Sequence, residues 1–78
     1  MKKVVIAGNY WQYTEWLKLN KVDSRVYKYI KDSEQVRGLE FDEIIYVGTY
    51  YRNPAYNHLD ILHRLQRYNG KISYDTTF

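Results

Sequence analysis

Two short apolar runs constrain this 78-residue chain more than anything else in it. Val4-Val5-Ile6-Ala7 closes the segment Lys2 to Ala7, and Ile44-Ile45-Tyr46-Val47 closes the segment Asp42 to Val47. Both runs are continuous rather than alternating, and both are rich in β-branched side chains. A run this short is read as a strand covered on both faces, the pattern of a parallel sheet. A parallel sheet in turn requires crossovers long enough to bring the chain back to the same end, and helices to cover each face.

The intervening segments meet that requirement. Tyr10 to Leu19 has helical spacing, with Tyr13, Trp16 and Leu17 on one face, extended by Tyr10, and Thr14, Glu15 and Lys18 opposite. After a turn at 20–24, Arg25 to Ile30 reads as a second strand, more polar and therefore at an edge. Asp32 with Gln35 three residues on makes a capping box for a short helical turn ending at Gly38. Asn53 as N-cap and Pro54 at the first helical position predict a helix running to Gly70. Its buried face carries Leu59, Leu62 and Leu65, and Arg64 and Arg67 sit near the negative end of its dipole. Lys71 to Asp75 is a short last strand, and the tail from residue 76 on is expected to be loose.

Strand and helix alternate throughout, so the expected fold is a single α/β domain over residues 1–78. It has the form of a small three-layer Rossmann-like or flavodoxin-like half, with a four-stranded, mostly parallel sheet. Right-handed crossovers and two apolar central strands favour the strand order 2-1-3-4. Helix one then covers one face and the two later helical segments the other. By surface scaling such a chain buries only about 60% of its unfolded surface. With no cysteine there is neither a disulfide framework nor a thiol nucleophile, and the absence suits a reducing cytoplasm. No apolar run approaches transmembrane length, so no membrane association is expected.

The two apolar strands end alike. Gly8-Asn9-Tyr10-Trp11 follows the first, and Gly48-Thr49-Tyr50-Tyr51 follows the third, continuing into Arg52 and Asn53. In the 2-1-3-4 order these strands are neighbours whose chains depart in opposite directions. That is a topological switch point, where open α/β sheets form a crevice at the carboxyl ends of their strands. Gly8, Asn9, Tyr10, Trp11, Gly48, Thr49, Tyr50, Tyr51, Arg52 and Asn53 are accordingly the candidate binding residues, with the tyrosines of the two loops expected to face each other across the crevice. Ten of the fourteen aromatic side chains are tyrosine, more phenols than a thin core can accommodate, which places some of them at the surface. Arg52, beside tyrosines and a helix start, suits an anion or a flat ring.

Recognisable catalytic patterns are lacking. Neither glycine loop continues as a dinucleotide fingerprint or a P-loop, and no G-x-S-x-G elbow occurs. His58 and His63 are five residues apart and so on different faces of a helix, which disfavours a shared metal. Glu40, Asp42 and Glu43 gather at the start of the third strand, the wrong end for a switch-point site, and are read as solvated acids. The chain is therefore read as non-catalytic, with no cofactor and no metal.

Val36 to Gly48, VRGLEFDEIIYVG, resembles a motif in the second motor domain of superfamily-one DNA helicases, in which a Gly-Leu-Glu-Phe turn leads into a buried strand ending in glycine. The matching residues are Gly38, Leu39, Glu40 and Phe41. In that family the motif contacts nucleotide and single-stranded DNA, and its glutamate lies near the ribose of ATP. The likeness covers about a sixth of the chain, without the Walker A lysine, the Asp-Glu metal pair or the arginine-finger helix of those motors. Its Arg-Gly-Leu turn also resembles that of phage packaging ATPases. The whole layout is similar to small α/β proteins of bacteriophage genomes, which implies an accessory or inhibitor protein acting in the host cytoplasm.

The expected function is thus a binding module that grips a protein partner through Tyr10, Trp11, Tyr50, Tyr51 and Arg52, since interface hot spots favour Trp, Tyr and Arg. One alternative is a single-stranded nucleic-acid binder, with tyrosines stacking on bases and Arg25, Lys28, Arg37 and Arg52 on phosphates. A net charge of +3, spread along the chain, gives that reading little electrostatic help. Another alternative is a sensor for a nucleotide or other anion held in the crevice. The polar edge strand at 25–30 offers a place for a second copy to pair.

Overall fold

The computed structural model describes residues 2–76. In chain order it contains β1 (Lys2–Ala7), α1 (Tyr10–Asn20), β2 (Tyr27–Tyr29), a 3-10 turn (Ser33–Val36), β3 (Phe41–Val47), a second 3-10 turn (Tyr50–Arg52), α2 (Leu59–Arg67) and β4 (Lys71–Asp75). The strands form one sheet in the order β2-β1-β3-β4, every neighbouring pair parallel. Of the tail, Thr76 is exposed and residues 77 and 78 lie outside the described residues.

Side-chain alternation divides the central strands between two cores. Val4, Ile6, Ile44 and Tyr46 face α2, where Ile61 and Leu65 cover them and Ile30, Val36, Phe41 and Ala55 complete the cluster. Val5, Ala7, Ile45 and Val47 face the other way, against Tyr13 and Trp16 of α1. Phe41 joins the first cluster only because β3 contains a bulge. Lys2 pairs with Phe41 but Val4 with Ile44, so two residues of β1 span three of β3. Without that extra residue, strict alternation would put Phe41 on the α1 face. Burying a side chain of this size contributes about 1.5–3 kcal/mol, so the bulge matters to a core this thin.

Three expectations about the elements need correction. The second strand is shorter than Arg25–Ile30 because a turn consumes its start. Val26 N and Tyr27 N both donate to Asp23 O at 3.0 Å, and the Asp23 carboxylate binds the Arg25 backbone N–H and guanidinium. That guanidinium, together with the backbone N–H, holds the Asp23 carboxyl down to about 2. The second helix begins at Leu59, not at Pro54. Residues 54–57 form tight turns, and His58 is the N-cap, its Nδ1 accepting from Asp60 N at 3.3 Å. The buried stripe is consequently Ile61 and Leu65 with Leu62 at its margin, while Leu59 stands 70% exposed. The Asp32–Gln35 capping box forms as expected, and Gly38 turns the chain at φ +71°.

Candidate functional site

Ala7 and Val47 are in register, so Gly8 and Gly48 leave the sheet as neighbours and both glycine corners emerge at one rim. The gap between them is not empty. Gln12, in the first turn of α1, extends its amide into it, a role the sequence reading did not assign. Its Oε1 accepts from Gly8 N and Thr49 N, each at 3.0 Å, and its Nε2 donates to Thr49 Oγ1 at 3.0 Å. A methyl group added to Gly8 would overlap the Thr49 side chain, and one added to Gly48 would overlap the Gln12 amide. Gly48 also has φ +58°, a conformation that suits glycine. The switch-point crevice is occupied by the protein's own amide.

The sequence contains a sign of this arrangement. Asn9 and Gln12 have the same N-cap-to-N3 spacing as Asp32 and Gln35. Asn9 Oδ1 accepts from Gln12 N at 2.8 Å, the first half of a capping box. In the second half Gln12 turns to Gly8 N instead of the cap's own N–H, and so reaches the neighbouring loop.

Asn53 also takes a different role from the one expected. It is 4% exposed, and its Nδ2 donates to Ala7 O at 2.7 Å and Ile30 O at 2.9 Å, while its Oδ1 accepts from Ala55 N at 2.8 Å. These bonds tie together the ends of β1 and β2 and the turn that follows β3. Asn53 is therefore a structural clamp under the rim, not a helix cap and not a contact surface.

The leading tyrosines of the two loops, Tyr10 and Tyr50, do not face each other. The Tyr10 ring leans toward β2, 5.6 Å from the Tyr13 and Tyr29 rings. The Tyr50 ring leans the opposite way, onto Tyr46 at 5.0 Å and Tyr56 at 5.2 Å, with Tyr51 and Tyr74 each at 5.6 Å. The rings diverge because each follows its own crossover to an opposite face of the sheet, with Gln12 at the seam. Burial, reinforced by the neighbouring phenols, pushes Tyr46 up to about 12 and raises Tyr50 as well. Burial likewise raises Tyr13 and Tyr29. At neutral pH these are uncharged phenols.

The outer surface of the rim remains strongly aromatic. Tyr10 is 64%, Trp11 62% and Tyr51 59% exposed. Arg52 is exposed beside them, and its guanidinium makes no ion pair among the described residues. Of the candidate binding residues, then, Tyr10, Trp11, Tyr51 and Arg52 form the accessible surface. Asn9 is exposed as well and caps α1, while Gly8, Gly48, Thr49 and Asn53 shape the scaffold beneath, and Tyr50 belongs mainly to the phenol cluster.

At the opposite end of the strands Asp42 and Glu43 are paired rather than loosely solvated, while Glu40 is exposed as expected. Lys3 Nζ lies 2.7 Å from Asp42 Oδ1, which lowers the Asp42 carboxyl and raises the Lys3 amine. Glu43 accepts from the Ser73 hydroxyl at 2.6 Å, with Lys3 and Lys71 within 3.9 Å. The concavities away from the rim include two that flank the helices. One, of about 290 Å³, runs between α1 and β4 and is lined by Trp16, Ile45, Glu43 and Asp75 among others. The other, on the outer side of α2, is a cationic depression formed by Arg37, His63, Arg64 and Arg67 with Asp60. Among the described residues no helix is long and apolar enough to cross a membrane. Comparison with protein-family models, curated proteins and solved structures finds no significant match for this chain.

Proposed function

We propose that this protein is a non-catalytic binding module that recognises a protein partner with the rim formed by Tyr10, Trp11, Tyr51 and Arg52. The observation carrying this reading is the pairing of a filled crevice with an exposed aromatic rim. Three large rings are each about 60% accessible above a seam that Gln12 closes. An outward-facing surface of Tyr, Trp and Arg has the composition of an interface centre. It does not offer the enclosed volume that a nucleotide or other small anion requires, and the Gln12 amide stands where such a ligand would sit. A domain of this size acting through one surface suits an accessory or inhibitory role, the role expected from the resemblance of its sequence layout to small phage proteins.

The test is affinity capture from lysate with wild-type protein and with Trp11→Ser/Tyr51→Ser, whose side chains are exposed enough for the fold to survive. A specific protein retained by the wild type should be lost by roughly tenfold or more with the variant, the loss expected for interface anchors. The same proteins recovered in the same amounts would place the interface elsewhere.

The cationic depression favours a second reading, a single-stranded nucleic-acid binder. Against it, Arg64 and Arg67 occupy the last turns of α2, which runs back toward the amino ends of the strands, away from the rim aromatics. Phosphate contacts would make binding weaken steeply between about 50 and 200 mM salt. Failure of mixed-sequence oligonucleotides to bind at low salt ends that reading.

A further inference from the structure

The exposed outer edge of β4 is self-complementary, and we propose that the protein associates with a second copy of itself through antiparallel pairing of the two β4 strands about Ser73. Four observations converge on this register. First, among the described residues the edge lacks a protective device along its centre. β4 has five residues, KISYD, without proline or bulge, and Ile72 and Tyr74 are 42% and 62% exposed on the α2 face. Native edges are commonly blocked by prolines, inward charges or covering elements, and an unblocked edge is a template for pairing.

Second, the backbone groups have the right phase. Gly48 N donates to Asp75 O at 3.0 Å, so the Asp75 peptide groups point inward to β3. By alternation those of Ser73 and Lys71 do the same, and those of Ile72 and Tyr74 point outward to the open edge. In an antiparallel pair centred on Ser73, Ile72 of one copy lies opposite Tyr74 of the other. Each such pair exchanges both of its N–H···O bonds, and Ser73 meets Ser73 at the close, non-bonded position.

Third, the side chains match. Lys71 falls opposite Asp75 of the second copy and Asp75 opposite its Lys71, while each Ile72 meets a Tyr74. Opposite charges and aromatic–β-branched pairs are favourable cross-strand combinations. The Lys71 side chain is 73% exposed, 3.8 Å from Glu43 within its own chain, and so can also reach the second copy. The Asp75 carboxylate already accepts from Trp16 Nε1 at 2.9 Å, which fixes its position on the same face as Lys71.

Fourth, the other edge is unsuited to the same operation. β2 has only three residues, and Val26 O and Ile30 N bond inward to β1, so symmetric pairing would centre on Lys28. That would place one lysine directly opposite another, a repulsive pair. A second copy is therefore expected at β4, not at the 25–30 segment. The resulting isologous dimer joins the two four-stranded sheets into one. Because the paired strands run antiparallel, the two aromatic rims point in opposite directions, which leaves both accessible.

Sedimentation equilibrium over roughly 5 to 500 μM, where an interface this small would associate, tests the proposal. Wild type should pass from monomer to dimer with concentration. Ile72→Pro removes an outward N–H that makes no bond among the described residues, and should stay monomeric with an unchanged circular dichroism spectrum. Should that variant fail to fold, charge variants decide. Lys71→Glu and Asp75→Lys should each lose self-association, and an equimolar mixture should recover it as a heterodimer. In the mixed pair the introduced glutamate lies opposite the introduced lysine, and the unchanged Asp75 of one copy lies opposite the unchanged Lys71 of the other. A wild type monomeric at every concentration, an Ile72→Pro that is folded and dimerises as well as the wild type, or a mixture that does not associate would each overturn the proposal. None of these outcomes depends on the rim aromatics, so this result and the capture experiment stand or fall separately.

Discussion

At the scale of single residues, two amides organise the end of the molecule that was expected to bind ligand. Gln12 and Asn53 both carry side-chain donors and acceptors suited to bridging backbone groups from different elements, and both are almost fully used. Replacing Asn53 with alanine would strand the Ala7 and Ile30 carbonyls and the Ala55 N–H, each a buried or nearly buried group. An unsatisfied buried group costs about 1–3 kcal/mol, so Asn53→Ala should destabilise the fold by roughly 2–4 kcal/mol, measured as a drop in the urea midpoint at unchanged m-value. Asn53→Asp should be no better, since it turns an oxygen toward two carbonyl oxygens. A change below about 0.5 kcal/mol, ordinary for a surface substitution, would show that the clamp is not structural. The sequence singles out Asn53 but assigns it to the wrong task, as a helix cap. Asn-Pro is a strong helix-start signal locally, but the side chain makes its bonds to Ala7 and Ile30, contacts distant in sequence that local spacing does not contain.

At the scale of elements, the apolar runs made the architecture legible. Continuous β-branched segments must be covered on both faces, and that one condition leads to parallel strands, helices on both sides and the order found. What stayed illegible was phase and extent. β2 lost residues to an Asp23-centred turn, and α2 started at Leu59 because the chain after Asn53 turns twice before it can enter a helix. The bulge in β3 leaves no mark in composition, yet it decides which face receives Phe41. Tyrosine clustering was legible only as abundance, and its grouping came from the fold. Rings of Tyr46, Tyr50, Tyr56 and Tyr74 bring together β3, the second 3-10 turn, the segment before α2, and β4. That cluster carries a pH consequence. Burial favours the neutral phenol, so Tyr46 is raised in the folded state from 10.0 to about 12. The folded protein therefore holds its proton where the unfolded chain has released it. The associated stability is complete below pH 10 and declines as pH rises from there toward 12. Urea unfolding repeated from about pH 9 to about 11.5 should show stability falling, with a weaker dependence in Tyr46→Phe. Equal slopes for the two proteins would mean that Tyr46 is not the titrating group.

At the scale of the whole molecule, the fold separates three surfaces. The aromatic rim lies at the carboxyl ends of β1 and β3, the exposed edge runs along β4, and the cationic depression lies outside α2. The position of the rim could be read from the paired Gly-polar-aromatic-aromatic corners, because strand order alone makes them neighbours. Its character could not, since an open crevice and a filled one differ by where one glutamine side chain goes. Assigning recognition to the rim accounts for exposed Tyr10, Trp11 and Tyr51, and assigning self-association to β4 accounts for a strand edge that would otherwise be unprotected. The most direct measurement of the first assignment is hydroxyl-radical footprinting with and without the protein recovered by wild-type bait. Tyr10, Trp11 and Tyr51 should be oxidised readily in the free protein and shielded together in the complex, while Tyr68, just past the end of α2 and away from the rim, keeps its reactivity. Shielding that bypasses these three rings and falls on other surface residues would contradict the account.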